Sequence, residues 1–190
     1  MSDLPSTVEI HEEGPREGFQ IEPGPISTVD KVKLIDALSK TGLKHIQACS
    51  FVNPRLVPGW ADAEKVVESF DAHEDVEYTG LYFNGNGLDR ALAFKDKLTI
   101  SGSISLTASE GFTKKNLNRT HAENMAAMER HVMSHLELGI PVNRIGVMAA
   151  FGCNYQGDIS PATVIKTLED GMQIAAKTGA EITLFSLADT

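Results

Sequence analysis

A chain of 190 residues with net charge −9, 42% hydrophobic and 23% charged residues has globular composition and enough length for a real core. Its acidity argues against nucleic acid or an anionic membrane as main partner, and no apolar run approaches the ~18 residues of a membrane span. Two cysteines, Cys49 and Cys153, make no disulfide framework, and the first residues carry no basic or apolar targeting pattern, so a reducing, cytoplasmic setting is expected.

The first segment, Val8 to Gln20, begins as an extended run and turns at Gly14-Pro15, setting Arg16 beside Glu17. A guanidinium beside a carboxylate at the mouth of a strand can hold an anionic oxygen with one group and a metal or proton with the other. The same two residues also suit a surface turn with an ion pair. His11, in the strand, reads by default as a satisfied buried histidine. A Pro/Gly loop from Ile21 to Ile26 leads to Ser27-Thr28-Val29-Asp30, a capping box. The helix behind it puts Val32, Ile35 and Leu38 on one face, with Lys31, Lys33, Asp36 and Lys40 toward the other, and stops at Gly42.

Lys44 to Phe51 is the second strand, with Cys49 as a small core residue. A helix over Ala61 to Phe70, a strand over Val76 to Phe83, a helix over Leu88 to Phe94 and a strand over Leu98 to Leu106 follow. The next loop holds Ser109, Glu110, Lys114 and Lys115. Thr120 and Glu123 form a second capping box. The helix they open stacks Met125, Met128, Val132 and Leu136 inward, with Met133 also read as packing, and ends at Gly139. His131 and His135 stand four apart on it, but they flank the stripe and lack the glutamate of a His-Glu-x-x-His site. Arg144 to Phe151 is the fifth strand, and the loop Gly152 to Gly157 carries Cys153, which no neighbour in sequence is built to activate. Ser160-Pro161 opens a helix with Val164, Leu168, Met172 and Ala175 inward and Gly179 at its end, and Glu181 to Leu187 is the sixth strand.

Strands alternating with helices imply a parallel sheet with helices outside. No Gly-x-Gly-x-x-Gly and no P-loop occurs. Polar residues follow nearly every strand instead: Arg16-Glu17, Gln47, Asn84, Ser109-Glu110, Cys153 and Asp189. That is the habit of a barrel, whose βα loops converge on one mouth. The expected class is therefore α/β, a (β/α)8 TIM barrel. A complete barrel needs eight strands and ~250 residues. Residues 1–190 hold about the first six βα units, which reads as a single partial barrel domain of a truncated chain, or one completed from elsewhere.

Gly14-Pro15-Arg16-Glu17-Gly18-Phe19-Gln20 resembles the signature Gly-Pro-Arg-Asp-Gly-Leu-Gln of the 3-hydroxy-3-methylglutaryl-CoA lyases, metal-dependent barrel lyases related to Claisen-type synthases. Ser50 to Pro58, Ser109 to Asn116, Gly152 to Gly157 and Ser186 to Thr190 resemble loops of that family, in order and spacing. The resemblance implies a divalent-metal-dependent retro-Claisen lyase, cleaving a 3-hydroxy-3-methylglutaryl-CoA-like thioester to acetyl-CoA and a keto acid such as acetoacetate. It implies that Arg16 steadies the thioester enolate and that Glu17 is a metal ligand close to the base function, the metal being Mg²⁺ or Mn²⁺. Gln20, Gln47, Ser109, Glu110 and Asp189 would line the substrate site, although loop polar groups often serve only caps and turns. Lys114 and Lys115 suit CoA phosphates or simple solvation.

Two departures fall at the mouth: Glu17 stands where the family has Asp, and Gln47 where it has Glu. The family's His-x-His metal pair occurs nowhere in these residues. The expected partner is a small acyl-CoA, with no nucleic acid and no membrane, and a homodimer stays open. A related acyl-CoA lyase, aldolase or Claisen synthase, or a non-catalytic barrel fragment, are the alternatives.

Overall fold

The computed structural model describes residues 4–24 and 26–190, so Pro25 of the expected loop lies outside the described residues. The chain forms two compact units, Met1–Ile100 and Ser101–Thr190.

The first unit contains β1 (His11–Glu12), α1 (Gly14–Ile21), α2 (Thr28–Leu38), β2 (His45–Ser50), α3 (Ala63–Ser69), β3 (Glu77–Leu81) and α4 (Gly85–Leu92). Its strands pair in parallel in the order β1-β2-β3, with His11 opposite His45 and His45 opposite Glu77. The core gathers Ile35, Ile46, Trp60, Val66, Val67 and Phe70.

The opening differs from expectation. Val8 and Ile10 are exposed, the first strand shrinks to two residues, and the Gly-Pro stretch winds into α1 instead of a turn. Proline in the first helical turn loses nothing, because its missing N–H would have had no partner there. Ser27 caps α2 by accepting from the Asp30 N–H at 3.1 Å, while the Asp30 carboxylate accepts from the Ser27 hydroxyl rather than from its backbone. Lys31, expected on the solvent side, is 2% exposed. Its ammonium donates to Asp62 Oδ1 and the Gly59 carbonyl, 2.5 Å each, and lies 4.8 Å from the centre of the Trp60 ring. Helix α4 starts three residues earlier than expected, because Asn84 accepts from the Gly87 N–H and serves as its cap.

The second unit contains β4 (Gly102–Thr107), α5 (Glu110–Leu117), α6 (His121–Glu137), β5 (Val142–Met148), β6 (Gly152–Cys153), β7 (Gly157–Asp158), α7 (Pro161–Thr178) and β8 (Leu184–Leu187). Its parallel sheet runs β4-β5-β8, and β6 and β7 form a small antiparallel pair within the expected loop. Six strands are thus parallel, as the alternation implied. The loop expected after β4 is instead α5, capped by Ser109. The Thr120 capping box is complete in both directions. Met125, Met128 and Leu136 of α6 pack on a core of Ile104, Leu106, Val132, Val142 and Ile145, but Met133 is exposed. Met172 is exposed too, and Thr167, Gly171 and Ile174 hold the inner face of α7 beside Val164 and Ala175. Gly171 explains the shift: a Cβ there would sit 2.8 Å from Ile145 Cγ2, so the helix approaches β5 through its glycine. No described helix is long and apolar enough to cross a membrane.

Candidate active site

Helix α1 begins one residue after β1 ends, so Arg16 projects from the first turn of a helix set against the β2 strand. Its side chain is 14% exposed and held on three sides. Nε donates to Gln47 Oε1 at 2.5 Å, Nη2 donates to Glu13 Oε2 at 2.8 Å, and Nη1 donates to Glu17. The backbone is fixed as well, since Trp60 Nε1 donates to the Arg16 carbonyl at 3.0 Å. Gln47 lies where the β2–β3 register shifts, and such irregularities re-aim side chains next to functional sites. A guanidinium fixed this way is pre-oriented, which is the property that electrostatic stabilisation of a developing anion requires.

Two buried polar atoms of this unit lack partners. Gln20 Oε1, on the same helix, and Ser50 Oγ, at the end of β2, are buried without a hydrogen bond. Leaving a buried polar group unsatisfied costs about 1–3 kcal/mol. The structure therefore joins Arg16, Glu17 and Gln47 directly, and puts Gln20 on the same helix.

The candidates of the second unit behave differently. Ser109 is fully buried and spent on structure: it accepts from the Phe112 N–H at 3.1 Å and from the Cys153 thiol at 3.1 Å. That contact corrects the reading of Cys153. On ionisation the Ser109 hydroxyl can turn its proton toward the thiolate, and this bond, helped by the backbone at Tyr155 and Gln156, holds the thiol below its ordinary range. Cys49, in contrast, is fully buried, and burial pushes its thiol far up. Glu110 and Asp189 are exposed. The chain around Asp189 is anchored by Ala188 N–H to the Val147 carbonyl at 2.9 Å and by Ala149 N–H to Thr190 Oγ1 at 2.6 Å. Ala149 itself has φ +54°, a left-handed conformation that costs a non-glycine residue energy and that clusters at functional loops.

Sequence reasoning missed Glu13 and Trp60. Glu13 could have been found, since it stands three before Arg16, the spacing of an ion pair on a helix; Trp60 is 44 residues away and gave no signal.

For a metal, the half-exposed Glu17 carboxylate offers the hard oxygens that Mg²⁺ or Mn²⁺ takes. Glu13 brings a second carboxylate to the same guanidinium. Among the described residues, the one group of three or more His, Cys, Asp or Glu ligands converging within 4.8 Å is Glu9, His11 and His45, at the N-terminal ends of β1 and β2. His11, expected to be buried, is exposed there, with its ring stacked on His45 at 4.0 Å. His131 and His135 are also ring neighbours, and burial together with the His135 charge pushes His131 down to about 4.

Residues 7–190 match the HMGL-like family. The chain belongs to the HMGL-like family. It is 40% identical over 164 residues to the mitochondrial hydroxymethylglutaryl-CoA lyase of Macaca fascicularis, which covers 86% of this chain and 49% of that protein. It superposes on the crystal structure of hydroxymethylglutaryl-CoA lyase from Pseudomonas aeruginosa with a TM-score of 0.83 and 30% identity, over 100% of this chain and 60% of the other. An HMG-CoA lyase from A. baumannii, solved in complex with coenzyme A and 3-methylmalate, matches with a TM-score of 0.73 and 31% identity, over 97% of this chain and 58% of the other. This HMGL-like chain thus spans about half the length of the curated relatives it matches. Its fold class is α/β of the TIM-barrel type, as the alternation of strands and helices and the polar residues after the strands implied.

Proposed function

We propose that this HMGL-like protein is a divalent-metal-dependent carbon–carbon lyase that cleaves a 3-hydroxy-3-methylglutaryl-CoA-like thioester to acetyl-CoA and a keto acid such as acetoacetate. The observation that carries the reading is Arg16, fixed by Gln47 and two carboxylates directly after β1 of an HMGL-like chain. In retro-Claisen cleavage the tertiary hydroxyl gives up its proton, the hydroxyl carbon becomes a ketone, and the C–C bond pair becomes a thioester enolate that is then protonated. Arg16 binds the thioester oxygen and stabilises the charge that grows on it. Glu17 would hold the cation, Mg²⁺ or Mn²⁺, which when bound would acidify the substrate hydroxyl. Gln20 lines the site with its free acceptor, and Gln47 holds Arg16 at Nε. On this reading Glu110 and Asp189, both exposed, are the second unit's candidates for binding substrate, whereas Ser109 serves as the cap of α5. The partner is a small acyl-CoA and neither nucleic acid nor membrane, in keeping with the net charge of −9, and the protomer is free to form a homodimer. Both cysteines are free of disulfides, in keeping with a cytoplasmic setting.

Glu17 and Gln47 favour a second reading within the superfamily: a related branched 3-hydroxyacyl-CoA as substrate, because the longer carboxylate and the neutral amide both alter the mouth. The test is a thioester cleavage assay with Mg²⁺ and a panel of branched 3-hydroxyacyl-CoAs. Arg16→Gln is expected to lower kcat about 100-fold or more with KM changed less than about threefold, since its contact strengthens in the transition state. A pure KM effect removes Arg16 from the catalytic role. The 190-residue chain by itself is expected to bind Mg²⁺ weakly and to show no turnover, so the panel is run on the complete enzyme, where absence of cleavage despite Mg²⁺ binding overturns the lyase reading.

A further inference from the structure

At the N-terminal ends of the first three strands, one row of side chains is out of keeping with the rest of the sheet. His11, His45 and Glu77 occupy matched register positions on β1, β2 and β3. Glu9 stands two residues before His11, on the same side of an extended chain. The Glu9 carboxylate oxygen Oε1 lies 3.1 Å from His11 Nε2 and 3.0 Å from His45 Nε2. The two imidazoles stack with ring planes 7° apart, so both present the same edge to that oxygen. On its far side, His45 Nδ1 lies 3.0 Å from Glu77 Oε2.

From this geometry we propose that Glu9, His11 and His45 form a binding site for one divalent transition cation of the zinc class, with Glu77 as its positioning residue. Zinc holds imidazole nitrogen and carboxylate oxygen at about 2.0–2.2 Å, which at a tetrahedral angle sets ligand atoms roughly 3.3–3.5 Å apart. The two carboxylate–imidazole separations are within a few tenths of an ångström of that edge, and a cation enters once the stacked rings tilt so that their two Nε2 lone pairs converge on it. Two nitrogens and one oxygen suit Zn²⁺, Ni²⁺ or Cu²⁺ and poorly suit Mg²⁺, which prefers oxygen donors alone. Glu77 supplies a separate reason. Accepting from His45 Nδ1–H, it fixes the tautomer that leaves Nε2 with a free lone pair, the carboxylate–histidine–metal arrangement of established sites. The fourth position is left for water. The cluster sits one side-chain layer before Gln47 on β2 and contains neither Arg16 nor Glu17, so it is independent of the lyase reading. Its effect is to tie the segment before β1 to β2, across a strand only two residues long.

The test is competitive titration of the 190-residue chain with Zn²⁺ against a chromophoric chelator. One Zn²⁺ per chain is expected, undisturbed by a thousandfold excess of Mg²⁺. His11→Gln and His45→Gln should each weaken it about 30-fold or more, and Glu77→Gln about tenfold, the usual loss when an outer carboxylate goes. The wild-type unfolding midpoint should rise by roughly 5–10 °C at a hundredfold excess of Zn²⁺ over Kd, with no rise in His11→Gln. His11 is exposed, so that variant keeps the test valid if His45→Gln fails to fold. Zinc binding that is absent, that survives His11→Gln unchanged, or that is lost in Glu17→Gln instead, overturns the proposal.

Discussion

Lys31 shows what one side chain does against its own propensity. A lysine on an amphipathic helix belongs in water by periodicity, yet this one is buried because its ammonium finds the Asp62 carboxylate, the Gly59 carbonyl and the face of Trp60. All lie about thirty residues away in sequence, so no local pattern announced them. Burial works against ionisation of Asp62, but the hydrogen bonds from Lys31 and Thr28 outweigh it and hold the carboxyl below its ordinary range. Removing the cation leaves that carboxylate partly desolvated. Lys31→Met should therefore cost about 1–3 kcal/mol, less than for a fully buried pair because Asp62 keeps 22% of its side-chain surface. Urea denaturation reads it as a lower midpoint at unchanged slope. The candidate site was legible on the same terms. Arg16 beside Glu17 is a neighbour relation and could be read off the chain. The grip of Gln47 and Trp60 on Arg16 spans 31 and 44 residues and could not.

At the level of elements, what the sequence revealed was local chemistry. The caps at Ser27, Thr120 and Ser160 and the glycine stop at Gly179 each involve residues within four positions of one another, and all are present. Helices α1 and α5 were hidden because Gly14-Pro15 and Ser109-Glu110-Gly111 carry turn residues, although proline in a first turn and serine at a cap start helices equally well. The inner face of α7 was misjudged at Met172 because periodicity cannot say that a glycine will be the contact. That contact yields a prediction. Gly171→Ala gains about 1 kcal/mol of helix propensity. It also drives a Cβ to 2.8 Å from Ile145, and overpacking of this kind costs about 1–3 kcal/mol. The net change should be destabilising, seen as a lower thermal midpoint. Gly171→Ala with Ile145→Val should recover part of the loss, whereas an additive double mutant would show that the two sites do not couple.

Across the whole molecule, ionisable groups of both units set how the fold responds to acid, and they act in two windows. His131 has its folded pKa pushed from 6.5 to about 4, first by burial and then by the His135 charge. The unfolded chain therefore takes up a proton in the window from about 6.5 to 4 that the folded chain refuses, and stability falls as pH drops through it. The carboxylates come next. Glu64 is held low by its hydrogen bond from Arg90, and Asp170 by Lys166 and His121 against the opposing effect of burial, with Asp62 as above. Depressed carboxyls contribute stability that is complete above the ordinary range near pH 4 and is lost as pH falls through their folded values. The expected profile of thermal midpoint against pH is thus a shallow decline from pH 6.5 to 4 and a steep one below 4. His131→Gln separates the two, because it removes the only one of these groups that titrates in the upper window. The variant should be flat from pH 6.5 to 4 and keep the steep lower limb. A shallow limb that persists in His131→Gln would assign it to another group, and a midpoint that rises on acidification through this window would reverse the sign argued for His131.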